Sequence, residues 1–160
     1  MSKFRVGNGY DVHVLASGYR LVLGGVEIDN PKGCVAHSDG DVILHALCDA
    51  MLGALALGDI GFHFPDTDAQ YSNIDSSILL ARVATLVAEQ GYQLVNADIT
   101  LLLQRPKIAP YIQQMREKIA AVLNVGKECI SVKATTTEKL GYVGREEGVA
   151  CYATVLLEKQ

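Results

Sequence analysis

Two short polar islands in apolar surroundings carry most of the reactive side chains of this 160-residue chain. The first is Asp11-Val12-His13, at the end of a strand-like run. The second is His37-Ser38-Asp39-Gly40-Asp41, followed four residues later by His45. Asp11, His13 and His45 offer one carboxylate and two imidazoles. Three N/O donors with a coordination position left open make a catalytic zinc arrangement, whereas four closed ligands would be structural. Imidazoles favour zinc over magnesium. The stretch from His37 to Asp41 leads into a helix, whose free backbone N–H groups and dipole suit a phosphate. Capping of those same N–H groups by Ser38 or Asp39 is the competing use. Metal-assisted phosphate chemistry is what this combination can perform.

The elements that must position these groups follow from periodicity. Phe4, Val6, Tyr10 and Val12 alternate with Arg5, Gly7, Gly9, Asp11 and His13, so residues 3–14 read as a strand with Asp11 and His13 on one face. A very apolar helix is expected from Asp41 to Leu57, ended by Gly58. On it Asp41, His45 and Asp49 recur every four residues as a single polar stripe. Burying polar groups without partners is costly, so the stripe must meet some. Asp41 and Asp49 suit orienting His45 or accepting substrate hydroxyls better than ligation. Two histidines and an aspartate brought together admit a metal site or a satisfied core cluster, and spacing alone leaves both open.

Further along, residues 20–23 and 26–29 read as a hairpin around Gly24-Gly25. A Gly/Pro/Asp-rich loop covers 58–73 and holds Asp59, Asp66 and Asp68, residues common in turns. Asp75-Ser76-Ser77 caps a helix reaching Gln90, with Gly91 just past its end. Residues 93–103 form a β segment, Pro106 and Pro110 lead into a helix ending near Asn124, and strands follow at 129–135 and 149–158. Thr136 to Gly141 is a turn or short helix between them. The fold class is therefore α/β in content, an α+β sandwich with helices on one face of a mixed sheet.

Strand 93–103 sets Val95, Ala97, Ile99, Leu101 and Leu103 against Leu94, Asn96, Asp98, Thr100 and Leu102. The last strand sets Val149, Cys151, Ala153, Val155 and Leu157 against Ala150, Tyr152, Thr154 and Leu156. Sheets that are semi-apolar on both faces need a second cover, and another subunit could supply it.

Length suits one domain over 1–160. A net charge of −4 argues against nucleic acid as a partner, and no run is long and apolar enough to span a bilayer. The start does not resemble a signal peptide. Cys34, Cys48, Cys129 and Cys151 lack metal-ligand spacing and suit a reducing cytoplasm.

The motifs run in order along nearly the whole chain: Gly7-x-Gly9-Tyr10-Asp11-x-His13, Leu23-Gly24-Gly25, Ala36-His37-Ser38-Asp39-Gly40-Asp41 with His45, Gly58-Asp59-Ile60-Gly61, Phe64-Pro65-Asp66-Thr67-Asp68, Lys133 through Gly141, and Gly144-Arg145-x-Glu147-Gly148. Together they resemble the 2-C-methyl-D-erythritol 2,4-cyclodiphosphate synthase family of the non-mevalonate isoprenoid pathway. The resemblance implies a homotrimer whose sheets form its core, with active sites between subunits, in a bacterial cytoplasm. It implies zinc on Asp11, His13 and His45, and a second divalent ion, magnesium or manganese, on Glu138.

The substrate so implied is 4-diphosphocytidyl-2-C-methyl-D-erythritol 2-phosphate. Its 2-phosphate attacks the β-phosphate of its own diphosphate, and CMP leaves. By the same resemblance His37 and Ser38 contact the 2-phosphate, with His37 and Thr136 counted as catalytic. Asp59 and Gly61 hold the erythritol hydroxyls, with Asp66 nearby. Pro106, Lys107, Ile108 and Ala109 form the cytidine pocket with Ala134, Thr135 and Thr136 of an adjacent chain region. Tyr142 and Arg145 complete the substrate-contacting set. Arg145 and Glu147 match a motif near the three-fold axis where an isoprenoid diphosphate can lodge.

One departure stands out: Ser72-Asn73-Ile74-Asp75-Ser76 replaces a family run of Lys-Gly-Ala-Asp-Ser, so a loop lysine is missing. Two rivals share some of these residues. A zinc phosphohydrolase would deliver hydroxide to a phosphate ester, and a trimeric module could bind isoprenoid diphosphates without any reaction.

Overall fold

The computed structural model describes residues 2–160. Strand β1 (Phe4–Ser17) leads to the hairpin β2 (Leu21–Leu23) and β3 (Val26–Ile28), then β4 (Lys32–Val35). Helix α1 (Val42–Ala54), the short α2 (Ile60–His63) and α3 (Ser76–Glu89) precede β5 (Tyr92–Leu102). Helix α4 (Ile112–Leu123), β6 (Ile130–Thr135), the one-turn α5 (Gly141–Gly144) and β7 (Gly148–Lys159) complete the chain. The main sheet has the order β4-β1-β7-β5-β6. Its pairs are antiparallel except β5 with β6, which is parallel, so the sheet is mixed as expected.

Helix α1 lies across β1 and β7 and is buried nearly all round, from Val42 to Ala54, with Gly53 and part of Asp49 reaching solvent. A helix apolar on every side belongs in the centre of a core, and here it lies between β1 and β7 on one side and α3 on the other, while α4 packs directly on β6. Each fully buried Leu or Ile adds about 1.5–3 kcal/mol. The approach of α1 to β1 explains two glycines. A Cβ on Gly7 would stand 1.8 Å from the Ala50 carbonyl oxygen, and one on Gly9 would stand 1.9 Å from that of Ala46. Only glycine lets backbone meet backbone there. Arg5, on the same face, donates from Nε to the Ala54 carbonyl at 2.7 Å and closes the C-terminal end of α1.

The structure corrects several boundaries. β1 runs on to Ser17 because Val14, Leu15, Ala16 and Ser17 pair with β4, a short strand that the glycine-containing run Lys32–Val35 did not announce. α1 stops at Ala54 rather than Leu57, where Leu55 caps it and Ala56 takes φ 57°. The loop at 58–73 contains α2 and a 3-10 turn at Ala69–Tyr71. In β5 a bulge between Leu94 and Asn96 returns Leu94 to the helix-covered side, opposite Leu157, so Leu94 does not share a face with Asn96.

The other face of the sheet carries Phe4, Val6, Tyr10, Val12 and Val14 from β1 and Tyr152 from β7, all exposed, with Val6 at 67%. The apolar partner predicted for this face is not supplied by any part of the described chain. Cys34, Cys48 and Cys151 are buried, and all four cysteines are free. No helix of the described residues is long and apolar enough to cross a membrane.

Candidate active site

The sharing of one strand face by Asp11 and His13, and the glycine-allowed contact of that face with α1, bring His45 to both. His13 Nε2 lies 3.0 Å from Asp11 Oδ2. His45 Nδ1 lies 3.1 Å from the same oxygen and 3.2 Å from His13 Nε2. The three donor atoms form a near-equilateral triangle. Bonds of about 2.0 Å to one tetrahedral ion would set ligand atoms about 3.3 Å apart. The donor set and its spacing therefore fit zinc.

Electrostatics favour a charged aspartate here. Burial works against ionisation of Asp11, but hydrogen bonds with His13 and then His45 outweigh it and hold the carboxyl at about 2. For His45, burial disfavours the charged form, and Asp11 overrides it, so the imidazole binds a proton more readily than usual.

The far side of the His45 ring is also engaged. Nε2 stands 2.9 Å from Ser76 Oγ and 3.2 Å from Ser38 Oγ. Ser76 is fully buried, donates its hydroxyl to Asp39 Oδ1, and its backbone N–H donates to Asp39 Oδ2 at 3.0 Å. Ser76 was legible only as part of a cap, and that it reaches His45 is a fact of tertiary packing between the α3 N-terminus and α1.

The remaining stripe residues act elsewhere. Asp41, fully buried, accepts from the backbone N–H groups of Gly24 and Gly25 at 2.9 and 2.6 Å, and from those of Ile43 and Leu44 at 3.1 Å each. It caps α1 and fastens the β2–β3 hairpin; it does not orient His45. Burial pushes its carboxyl up to about 6 against the pull of those donors. Asp49 accepts from the Ile60 N–H at 2.8 Å and so fixes the start of α2 rather than His45. The cap expected from Ser38 or Asp39 is thus Asp41, and its carboxylate seals the helix N-terminus that was expected to receive phosphate. A phosphate here must be held by side chains and loop backbone instead.

A cleft of about 340 Å³ opens above the triad. Its walls include Asp11, His13, His37, Ser38, His45, Gly61 and Asp66. Asp59 sits beside it, capping α2 through the Phe62 N–H at 2.9 Å. The segment after it is tied back: the Asn73 N–H donates to the His37 carbonyl at 2.6 Å, and the Asp39 N–H to that of Ile74 at 3.1 Å.

The second group of predicted residues lies apart. Pro106, Lys107, Ile108, Ala109, Ala134, Thr135, Thr136, Glu138, Tyr142 and Arg145 do not line this cleft. His13 pairs with Val149, Ala150 with Leu102, and Leu102 with Thr135. That places Thr135 three strands across the sheet from His13, about 14 Å away. Ile108 is buried within the single chain. Glu138 is exposed with φ 53°, and its N–H donates to Thr136 Oγ1 at 3.3 Å. Tyr142 meets Tyr10 hydroxyl to hydroxyl at 2.9 Å, and Arg145 is paired with Glu147 at 2.9 Å.

Comparison with known proteins agrees with this arrangement. A relative from Thioalkalivibrio sulfidiphilus, named 2-C-methyl-D-erythritol 2,4-cyclodiphosphate synthase, is 57% identical over 99% of both chains. The solved bifunctional IspDF from Campylobacter jejuni superposes with TM-score 0.95 at 46% identity, covering 98% of this chain and 42% of that one. A Plasmodium falciparum IspF, solved as a CDP complex, gives TM-score 0.88 at 37% identity over 100% of this chain and 99% of its own. Residues 4–158 match the YgbB family, and with that coverage, this fold and this triad, the chain belongs to it.

Proposed function

We propose that this chain closes an eight-membered ring within one substrate, using a metal-bearing cleft from one subunit and a nucleotide pocket from the next. The chain is an enzyme of isoprenoid biosynthesis, a lyase forming 2-C-methyl-D-erythritol 2,4-cyclodiphosphate, as its family and its 57% identity to a synthase of that name require. The observation that carries the mechanism is the convergence of Asp11, His13 and His45 within 3.2 Å at the floor of the cleft.

The substrate is 4-diphosphocytidyl-2-C-methyl-D-erythritol 2-phosphate. An oxygen of its 2-phosphate forms a bond to the β-phosphorus, and the P–O bond to the α-phosphate breaks, releasing CMP. Nucleophile and electrophile belong to one molecule, so holding it bent supplies much of the rate as effective molarity. His37 and Ser38 hold the 2-phosphate at the cleft wall, while Asp59, the Gly61 backbone and Asp66 take the erythritol portion. A phosphate oxyanion needs no general base, and the cleft contributes position and charge. When bound, zinc on Asp11, His13 and His45, with magnesium or manganese on Glu138, supplies neutralisation of the diphosphate charge and polarisation of the β-phosphorus.

The cytidine end rests on Pro106 to Ala109 and Ala134 to Thr136 of a second subunit, with Thr136 at the diphosphate. A homotrimer is the assembly proposed, with each chain a single domain over 1–160. Its support is the exposed apolar face of β1 and β7, and the separation of the two residue groups within one chain. CDP in the Plasmodium structure supports the nucleotide assignment. Arg145 and Glu147 lie where an isoprenoid diphosphate can be received at the three-fold axis. A bacterial cytoplasm is the proposed location, in line with the bacterial relative.

The test is product analysis in labelled water with the cytidyl substrate. CMP and a cyclic diphosphate free of solvent oxygen are expected. Solvent oxygen in the sugar product would establish the phosphohydrolase instead, and no product in a zinc-loaded protein would leave only a binding module.

A further inference from the structure

We infer that Asp39 and Ser76 are positioning residues that fix the tautomer of His45 and so commit its Nδ1 lone pair to the metal. This rests on the proposal that Asp11, His13 and His45 hold zinc, and it extends to residues that neither ligate nor face the substrate.

The argument is one of hydrogen counting. Ser76 Oγ carries a single proton, and it lies against Asp39 Oδ1, a carboxylate oxygen that can only accept. Ser76 therefore donates to Asp39. The contact of 2.9 Å between Ser76 Oγ and His45 Nε2 then requires the imidazole to donate. With Nε2 protonated, the neutral ring has its lone pair on Nδ1, the atom that faces Asp11 and His13. A ring N–H held on the side away from the metal is how histidine ligands are oriented.

The geometry also prevents rotation of the ring. Both Asp39 oxygens are used by Ser76, one by its hydroxyl and one by its backbone N–H at 3.0 Å. Ser76 is fully buried and His45 is 6% exposed, so the bond between them is shielded from solvent, with Asp39 half-buried behind it. Asp39 in turn is anchored through its N–H to the Ile74 carbonyl at 3.1 Å. A second consequence concerns Ser38. Its Oγ lies 3.2 Å from the same protonated Nε2 and also receives the Gly40 N–H at 3.2 Å. It can only accept from both, so its own proton is free to point into the cleft toward an anionic group.

The test measures zinc affinity by chelator competition, and the visible spectrum of the cobalt-substituted protein, for the parent, Ser76→Ala, Ser76→Thr and Asp39→Asn. Zinc affinity is expected to fall about 10–100-fold in Ser76→Ala, with a changed cobalt spectrum. Ser76→Thr, which keeps the hydroxyl, should recover most of the loss. Asp39→Asn removes the charge that claims the serine proton and should fall between them. If Ser76→Ala does not fold, Asp39→Asn against Ser76→Thr decides. Unchanged affinity and spectrum in Ser76→Ala or Asp39→Asn, beside a parent that binds zinc, would overturn this inference alone. A parent that takes up no zinc would overturn the metal assignment with it.

Discussion

The two groups of functional residues in this chain differ in how completely the single chain builds them. Around the triad the contacts join several elements: Asp11 from β1, His45 from α1, Ser76 from α3 and Asp39 from the loop before α1. Along 134–145 the side chains are mostly exposed and, apart from Tyr142 to Tyr10, their hydrogen bonds are local, such as Thr137 Oγ1 to the Leu140 carbonyl and Arg145 to Glu147. The first region is organised before substrate arrives. The second is, in the proposed assembly, the surface that a neighbouring subunit presents to the organised half.

Replacing His45 with Ala should have the largest effect, because it strikes the organised half at its centre. Turnover is expected to fall by about 10³-fold or more, the several kcal/mol that a bound ion contributes to a phosphoryl transition state. Zinc content should be lost while the trimer persists in sedimentation. Full turnover in the metal-free variant would show that the triad is not the reactive centre.

Gly9→Ala probes how that half is assembled. The added Cβ meets the Ala46 carbonyl oxygen, 1.9 Å away, and must push α1 off β1. A loss of about 3 kcal/mol is expected, the upper range for overpacking a core, read from the urea midpoint. Zinc affinity should fall with it, since Asp11 and His45 are parted. An unchanged midpoint would mean that the helix yields freely.

Val6→Asp tests the opposite face of the same strand. Val6 is 67% exposed, so the chain itself should lose less than about 1 kcal/mol. A buried, unpaired charge in an assembly costs far more, and light scattering should report monomers. Turnover should fall at least about tenfold, while zinc binding survives. A trimer of normal activity would place the interface elsewhere.

The smallest effect expected is on pH dependence of metal retention. Asp11 raises the proton affinity of His45, so protons compete with zinc from a higher pH than for an ordinary histidine. Affinity should weaken as pH falls from about 8 to 7, by less than about tenfold for the proton that competes at His45. Chelator competition across that range measures it, and a flat profile would contradict the paired geometry.

Much of this was legible from residue order because strand and helix periods act locally. Alternation alone put Asp11 with His13, and a spacing of four put His45 on the stripe with Asp41 and Asp49. Semi-apolar alternation on both sides of β5 and β7 also forecast a face in need of cover. The same local logic could not say which partner each stripe residue meets. Asp41 turned to the β2–β3 hairpin and Asp49 to α2, while the support for His45 came from Ser76, thirty-one positions on. Nor could it see that Asp41 seals the helix end offered to phosphate, or that a bulge moves Leu94 across the sheet. What the sequence determined by itself was the set of donor atoms and the faces that carry them, since both follow from short-range geometry. Which donors converge, and which protons they hold, was decided by how α1 packs on β1 and the N-terminus of α3 on α1, contacts whose energies come from residues far apart in the chain.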